Sequence, residues 1–316
     1  MEQENFKQLV PQFHYWEKIK DLTDQYIDIM LNLSQSGHPG GSRSKAHAFI
    51  ATLLSGVMRW DIRNPEKRFG DRFVLIGGHC NPLVYAVMAV FCDALRMKYN
   101  QTGDEKYLIN KAEKRALYPE DLVTLRNRDG LPGHAEMIDK TLFFKFNTGP
   151  SGHGSPAAAG EATALKLAGI EEVKVFAFEG EGGHTAGHIH ETKNSAWGLG
   201  LSNLYYVLDW NDFGIDDHRV SSVVHGSPRD WFEPYGWRVF DSENGSDWNS
   251  VTRMLCDMIY SPNPHKDPTC GYMKTRKGRG YGIFDNKSHG TTHKKNDEVY
   301  WQVRSEFASK YGIIFD

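Results

Sequence analysis

Apolar positions along this chain switch between two periods, and the switches mark out its elements. From Trp16 to Leu33 they recur at helical intervals (Ile19, Leu22, Tyr26, Ile29, Met30, Leu33), which predicts an amphipathic helix. Lys45 to Met58 predicts a second helix, and Pro82 to Met97 a third with proline in its first turn. Between them Arg72-Phe73-Val74-Leu75-Ile76, closed by Gly77-Gly78, suits a buried parallel strand. Asn100 to Leu117 is polar and predicts a helical excursion on the surface; Glu120 to Arg126 predicts a short helix. A glycine-rich turn at 149–154 then introduces a small-residue helix, Ser155 to Leu167, whose alanines permit close packing. After it come a strand (Val173 to Phe178), a helix (Thr185 to Leu199) and a strand (Asn203 to Val207). Strand Trp237 to Phe240, helix Asp247 to Tyr260, strand Thr269 to Thr275 and helix Glu298 to Lys310 continue the alternation. This order predicts an α/β fold: a doubly wound, mostly parallel sheet with helices on both faces. No linker, low-complexity tract or internal repeat interrupts it, so one domain over 1–316 is expected.

Composition narrows the function class. The 316 residues suffice for a large core. A formal net charge of -3 gives no electrostatic case for nucleic acid. The four cysteines (Cys80, Cys92, Cys256, Cys270) form no CxxC pair and read as buried thiols of a reducing compartment. The polar, acidic start is no signal peptide, and the apolar stretch from Leu83 to Leu95 is short of the ~20 residues that span a bilayer. A cytoplasmic protein with no membrane partner is expected. Fourteen histidines suit a site that moves protons near neutral pH.

The richest stretch runs from Gly180 to Asp216. Gly180-Glu181-Gly182 follows one predicted strand, and Asn211 follows the next, thirty residues beyond Glu181. In a parallel sheet both groups face the crevice at the strands' carboxyl ends. A hard cation holding a diphosphate against glycine-rich backbone is the natural occupant there.

That spacing resembles the thiamine-diphosphate motif, which normally has Asp where this chain has Glu181. Further segments resemble the transketolase family in the same order: Ser36-Gly37-His38-Pro39-Gly40, Asp71-Arg72-Phe73-Val74-Leu75 with Gly78-His79, and Pro132-Gly133-His134-Ala135-Glu136. Gly149-Pro150-Ser151-Gly152-His153-Gly154, Phe232-Glu233-Pro234-Tyr235-Gly236-Trp237 and Glu243-Asn244-Gly245 extend the likeness from about Trp16 to Phe307. The resemblance implies Mg²⁺, or another divalent cation, on Glu181, Asn211 and the carbonyl of Phe213. It places the amides of Gly180 and Gly182 on the diphosphate. His38 and His134 would bind substrate oxygens or relay protons, and His79 would lie near the cofactor. The Gly149, Ser151 and His153 turn would approach the aminopyrimidine. A fourth family histidine falls after Gly280-Tyr281-Gly282, with His289 and His293 as candidates; the acidic helix start after His293 favours it as catalytic and leaves His289 beside the cofactor. Arg43 and Lys45 stand where the family is apolar, which suggests an altered substrate mouth.

In this family the glutamate that activates the cofactor sits in a pyrimidine-binding domain, and no such segment is recognisable here. The expected function is therefore the N-terminal subunit of a split, thiamine-diphosphate-dependent transketolase. It would move a two-carbon ketol unit from a ketose, a sugar or sugar phosphate, to an aldehyde. The partner would be a second subunit carrying the pyrimidine-binding and C-terminal domains, in a heterotetramer of two plus two. The alternatives are a subunit of another thiamine-diphosphate enzyme, of synthase or 2-oxoacid dehydrogenase type, and a non-catalytic partner-binding relic.

Overall fold

Each strand sends alternate side chains to opposite faces, and both faces are apolar, so the sheet must be covered on both sides. In the computed structural model, which describes residues 2–314, the strands are β1 (Arg72–Leu75), β2 (Val175–Gly180), β3 (Leu204–Trp210), β4 (Arg238–Ser242) and β5 (Thr269–Lys274). Met1, Phe315 and Asp316 lie outside the described residues, as do the side chains of residues 2–5. All neighbouring strands pair parallel, in the order β1-β2-β3-β5-β4. The fold is the α/β, doubly wound sheet that the pattern predicts.

Register carries the alternation across the sheet: Phe73 lies beside Phe176, and Phe176 beside Tyr205. These residues, with Leu75, Phe178, Val207 and Met273, join one buried cluster. It is completed by the helices Phe13–Ser34, Ala46–Leu54, Asn81–Thr102 and Trp248–Tyr260, through Ile27, Phe49, Val87 and Leu255 among others. The intervening strand residues, Val74, Val175, Ala177, Tyr206 and Leu208, join the opposite cluster. There Ala158, Ala162 and Leu165 of helix Gly154–Leu167 and Ala196 of helix Gly187–Gly198 pack against them. The small side chains allow a very close approach: a Cβ on Gly154 would sit 2.7 Å from the Cα of Ile76.

Boundaries differ from the sequence reading where capping decides them. The third helix runs on to Thr102, and Gly103, at φ 65°, ends it. The expected helix over 100–117 is therefore replaced by a single turn at Glu105–Tyr107 and a short helix at Ala112–Arg115. The helix expected from Lys45 stops at Leu54, and a separate helix, Pro39–Ser44, precedes it. The segment 78–102 is long and apolar enough to cross a membrane by length and composition, but 67% of its most apolar window is buried in the protein, as befits a core helix.

Because every strand points the same way, the ends of β2, β3 and β5 open on one crevice. That places Glu181, Asn211 and Lys277 around the same cleft.

Candidate active site

Glu179 organises the end of β2. It is 2% exposed, its Oε1 accepts from the amide of Gly180 (2.8 Å), and its Oε2 accepts from the amide of Gly152 (3.2 Å). The second bond ties the 149–154 turn to the strand. A Cβ on Gly183 would lie 2.5 Å from this carboxylate, so the approach requires glycine.

Glu181 follows, with 1% of its surface exposed. Its Oε2 accepts from the amide of Asn211 at 3.2 Å, whereas its Oε1 is buried without a partner. Burial first, and then the charge of Asp209, push its carboxyl up to about 8. The Asn211 side chain is set by two bonds: its Nδ2 donates to Asp209 Oδ2 (3.0 Å), and its Oδ1 accepts from the amide of Phe213 (3.2 Å). Asp209 is fully buried and gathers further donors: Ser44 Oγ at 2.5 Å, Lys45 Nζ at 3.0 Å, and the hydroxyl of Thr275.

Lys277 reaches across from the segment after β5. Its Nζ donates to the carbonyls of Phe213 (2.8 Å) and Gly214 (2.7 Å) and to Nδ1 of His289 (2.8 Å). Burial lowers this ammonium to about 8. Together these groups line a cleft of about 390 Å³, joined by Ser151, Gly180, Gly182, His79 and the apolar Ile215, Val220 and Val223. A Cβ on Gly182 would meet nothing within 4 Å, so its backbone borders open space.

At one side of the cleft three imidazoles cluster, two of them, His79 and His289, in its lining. Ring centroids of His38 and His79 are 4.9 Å apart, and His289 lies 5.4 Å from each. Burial holds His38 and His289 down at about 3, and His79 at about 4, so all are neutral at pH 7. A Lys277 ammonium donating to His289 Nδ1 leaves the ring proton on Nε2. His134 is exposed and packs near Gly149, whose Cβ would lie 3.9 Å from its ring.

The structure thus brings together His38, His79, His289, Ser151, Gly180, Glu181, Gly182, Asn211 and Phe213. It does not bring His293 to them. That ring is 2% exposed, stacks on Tyr281 at 3.9 Å, and bonds through Nε2 to the Tyr281 carbonyl at 2.7 Å. The turn at Asp285–Ser288 instead delivers His289 to the cluster, so of the two candidate histidines it is His289, and not His293, that lies beside His38 and His79. His153 is exposed and turned towards His188 (4.5 Å), away from the cleft lining. Arg43 does not line the cleft. It is 3% exposed and its Nη1 donates to both oxygens of Asp28 at 2.7 Å. Lys45 does reach the cleft, from its floor. Sequence reading missed Glu179, Asp209 and Lys277. Two end or precede motif residues and carry a charge in an apolar run, which was the available signal; Lys277 had none.

The residues fit a diphosphate well: open glycine backbone and two lysines border the space. They fit a divalent cation in part. The orphaned Glu181 Oε1 and the spare lone pair of Asn211 Oδ1 are suitable oxygens. The Phe213 carbonyl, the third expected donor, is engaged by Lys277. Among the described residues no cluster of three or more His, Cys, Asp or Glu side chains could hold a metal without such help.

Comparison with known proteins places the chain in a family. Residues 116–312 match the family "Transketolase, thiamine diphosphate binding domain". Human transketolase is 29% identical over 284 residues, covering 88% of this chain and 40% of that protein. A Clostridium protein named 6-deoxy-6-sulfo-D-fructose transketolase subunit SqwG is 25% identical over 266 residues, covering 84% of this chain and 86% of that one. Among solved structures, transketolase from Campylobacter jejuni superposes with a TM-score of 0.74 at 25% identity, covering 94% of this chain and 42% of that one. Transketolase from Leishmania mexicana gives 0.75 at 24% identity, covering 93% and 41%. The chain spans about 40% of the length of the human enzyme but most of the named subunit. It belongs to the thiamine-diphosphate-binding domain family of the transketolases.

Proposed function

We propose that this chain is the diphosphate-binding subunit of a split, thiamine-diphosphate-dependent transketolase, acting in the cytoplasm as a single domain. The observation that carries the reading is the pair Glu181 and Asn211 at adjacent strand ends, bonded to each other beside a glycine-bordered cleft. The match to 86% of a relative named as a transketolase subunit supports a second polypeptide as partner; we take the assembly to be two of each chain.

When bound, thiamine diphosphate supplies the electron sink for cleaving a ketose beside its carbonyl. The chain's own residues do the rest. Gly180 and Gly182 would present backbone to the diphosphate, and Glu181 Oε1 with Asn211 Oδ1 would hold a divalent ion such as Mg²⁺. His38, His79 and His289, all neutral, accept or donate single hydrogen bonds to sugar oxygens and hold protons at ring nitrogens without adding charge. His134, which is exposed, would bind substrate oxygens or relay protons from outside the cleft lining. The glutamate that activates the cofactor comes from the partner.

One observation favours the relic reading: the Lys277 ammonium donates to the Phe213 carbonyl, and its positive charge opposes a cation on the same oxygen. Calorimetric titration of thiamine diphosphate with Mg²⁺ separates the two. The chain mixed with a pyrimidine-domain subunit from the same genome should bind tightly and transfer ketol units from a ketose to an aldehyde. A folded chain that binds no cofactor, alone or mixed, overturns the enzyme reading.

A further inference from the structure

Lys45 borders the cleft, 3% exposed, between the helices Pro39–Ser44 and Ala46–Leu54. Its ammonium has three N–H donors, and three acceptors surround it: Asp209 Oδ2 at 3.0 Å, the Gly41 carbonyl at 3.3 Å and Cys80 Sγ at 3.7 Å. No donor is left for a ligand. Among the described residues Lys45 is also the only cation within ion-pair distance of the fully buried Asp209. The other side chains that donate to this carboxylate are the Ser44 and Thr275 hydroxyls and the Asn211 amide. Hydroxyls can donate or accept and so follow the carboxylate, whereas a buried carboxylate stripped of its cation is strongly unfavourable.

What Asp209 holds in turn is the Asn211 side chain. An amide has two edges of nearly equal shape, one an oxygen and the other an NH₂ group. A carboxylate only accepts, so the NH₂ edge faces Asp209 at 3.0 Å. Oδ1 then lies on the other edge, where it accepts from the Phe213 amide at 3.2 Å and keeps one lone pair to spare. The reversed amide would offer N–H where a divalent cation needs oxygen.

We propose that Lys45 is a positioning residue of the divalent-cation site: acting through Asp209, it fixes which edge of the Asn211 amide is free to meet the ion. The inference rests on the cleft being the thiamine diphosphate site with its divalent ion. Lys45 acts there without giving a hydrogen bond to either. Its charge keeps Asp209 in place as an acceptor, and Asp209 keeps the oxygen of Asn211 available.

Calorimetric titration of Mg²⁺ into the chain with its proposed partner, at saturating thiamine diphosphate, tests this for the wild type, K45M and K45M/D209N. Where K45M strands a buried charge and does not fold, K45M/D209N removes both charges and should return to the wild type's stability in urea denaturation. Its Mg²⁺ affinity should nevertheless stay at least about tenfold below the wild type's, because a carboxamide at 209 can face Asn211 with either edge and no longer selects one. A K45M/D209N protein with wild-type Mg²⁺ affinity overturns the proposal and leaves the pair a purely structural one. Thiamine diphosphate binding in EDTA should match across the folded proteins. A loss there as large as the loss of Mg²⁺ affinity would make Lys45 a direct phosphate contact and also overturns the proposal. A folded wild type that binds no thiamine diphosphate in Mg²⁺ overturns the thiamine diphosphate reading itself.

Discussion

Glu181 is the residue on which the site turns, and its surroundings make it a poor contributor to the stability of the fold. It is 1% exposed, lies near Asp209 and keeps one oxygen without a donor. A buried polar atom left unpaired costs about 1–3 kcal/mol. Glu181→Gln retains an oxygen for the Asn211 amide and removes the repulsion from Asp209. We expect it to leave the apo protein's stability unchanged or raised by about 1 kcal/mol, by urea denaturation, while weakening Mg²⁺-supported cofactor binding by at least about tenfold. A large stability loss with unchanged binding would make Glu181 a structural residue.

Between elements, buried charge and close packing set the geometry. Arg43 joins the helix Phe13–Ser34, through Asp28 and Asp24, to the carbonyls of Arg279 and Gly280. Removing one partner of such a pair strands the other, so Arg43→Leu should destabilise by about 3–5 kcal/mol in urea denaturation. An altered substrate profile in a fully stable R43L protein would return Arg43 to the substrate mouth. At the opposite face, Gly154→Ala should cost about 1–3 kcal/mol through overpacking against Ile76. A stabilised G154A protein, gaining only helix propensity, would contradict that packing.

At the scale of the whole molecule, stability is tied to pH by histidines that fold in neutral form. His47 faces Glu17, Lys20, Asp24 and Arg279, and His184 faces Lys193 and His188. Each is 3% exposed and is held by burial at about 3, below its unfolded value near 6.5. The unfolded chain therefore binds more protons between these values. Their stabilising contribution is complete above about pH 6.5 and is lost as pH falls towards 3, by up to about 1.4 kcal/mol per pH unit for each. Neither nitrogen of His184 has a partner, and its ring sits between Tyr206 and Phe232. His184→Phe should keep or raise stability at pH 7.5 and make the acid limb shallower by one proton's slope in denaturation series across pH. Parallel limbs would exclude His184 as a source. Ligand linkage acts on the same scale: cofactor at a hundred times its dissociation constant should add about 2.7 kcal/mol, in the presence of the partner.

The chain's sequence by itself determined the strands and the helices that cover them. Period two or unbroken apolar runs at 72–76, 173–178 and 203–207, against the helical period of 16–33, follow from local geometry that tertiary contacts reinforce. Glycine spacing likewise marked Gly180, Glu181, Gly182 and Asn211, because a sheet's carboxyl ends collect whatever follows its strands. Only the tertiary structure placed His289, and not His293, beside His38 and His79; the two are four residues apart in an irregular loop with no period to read. It alone paired Lys45 with Asp209 and Arg43 with Asp28, and brought Lys277 to the Phe213 carbonyl. Each of these joins residues 15 to 164 positions apart. Such a pairing depends on where the sheet brings chain segments together, and a sequence pattern reports only the face on which a residue starts.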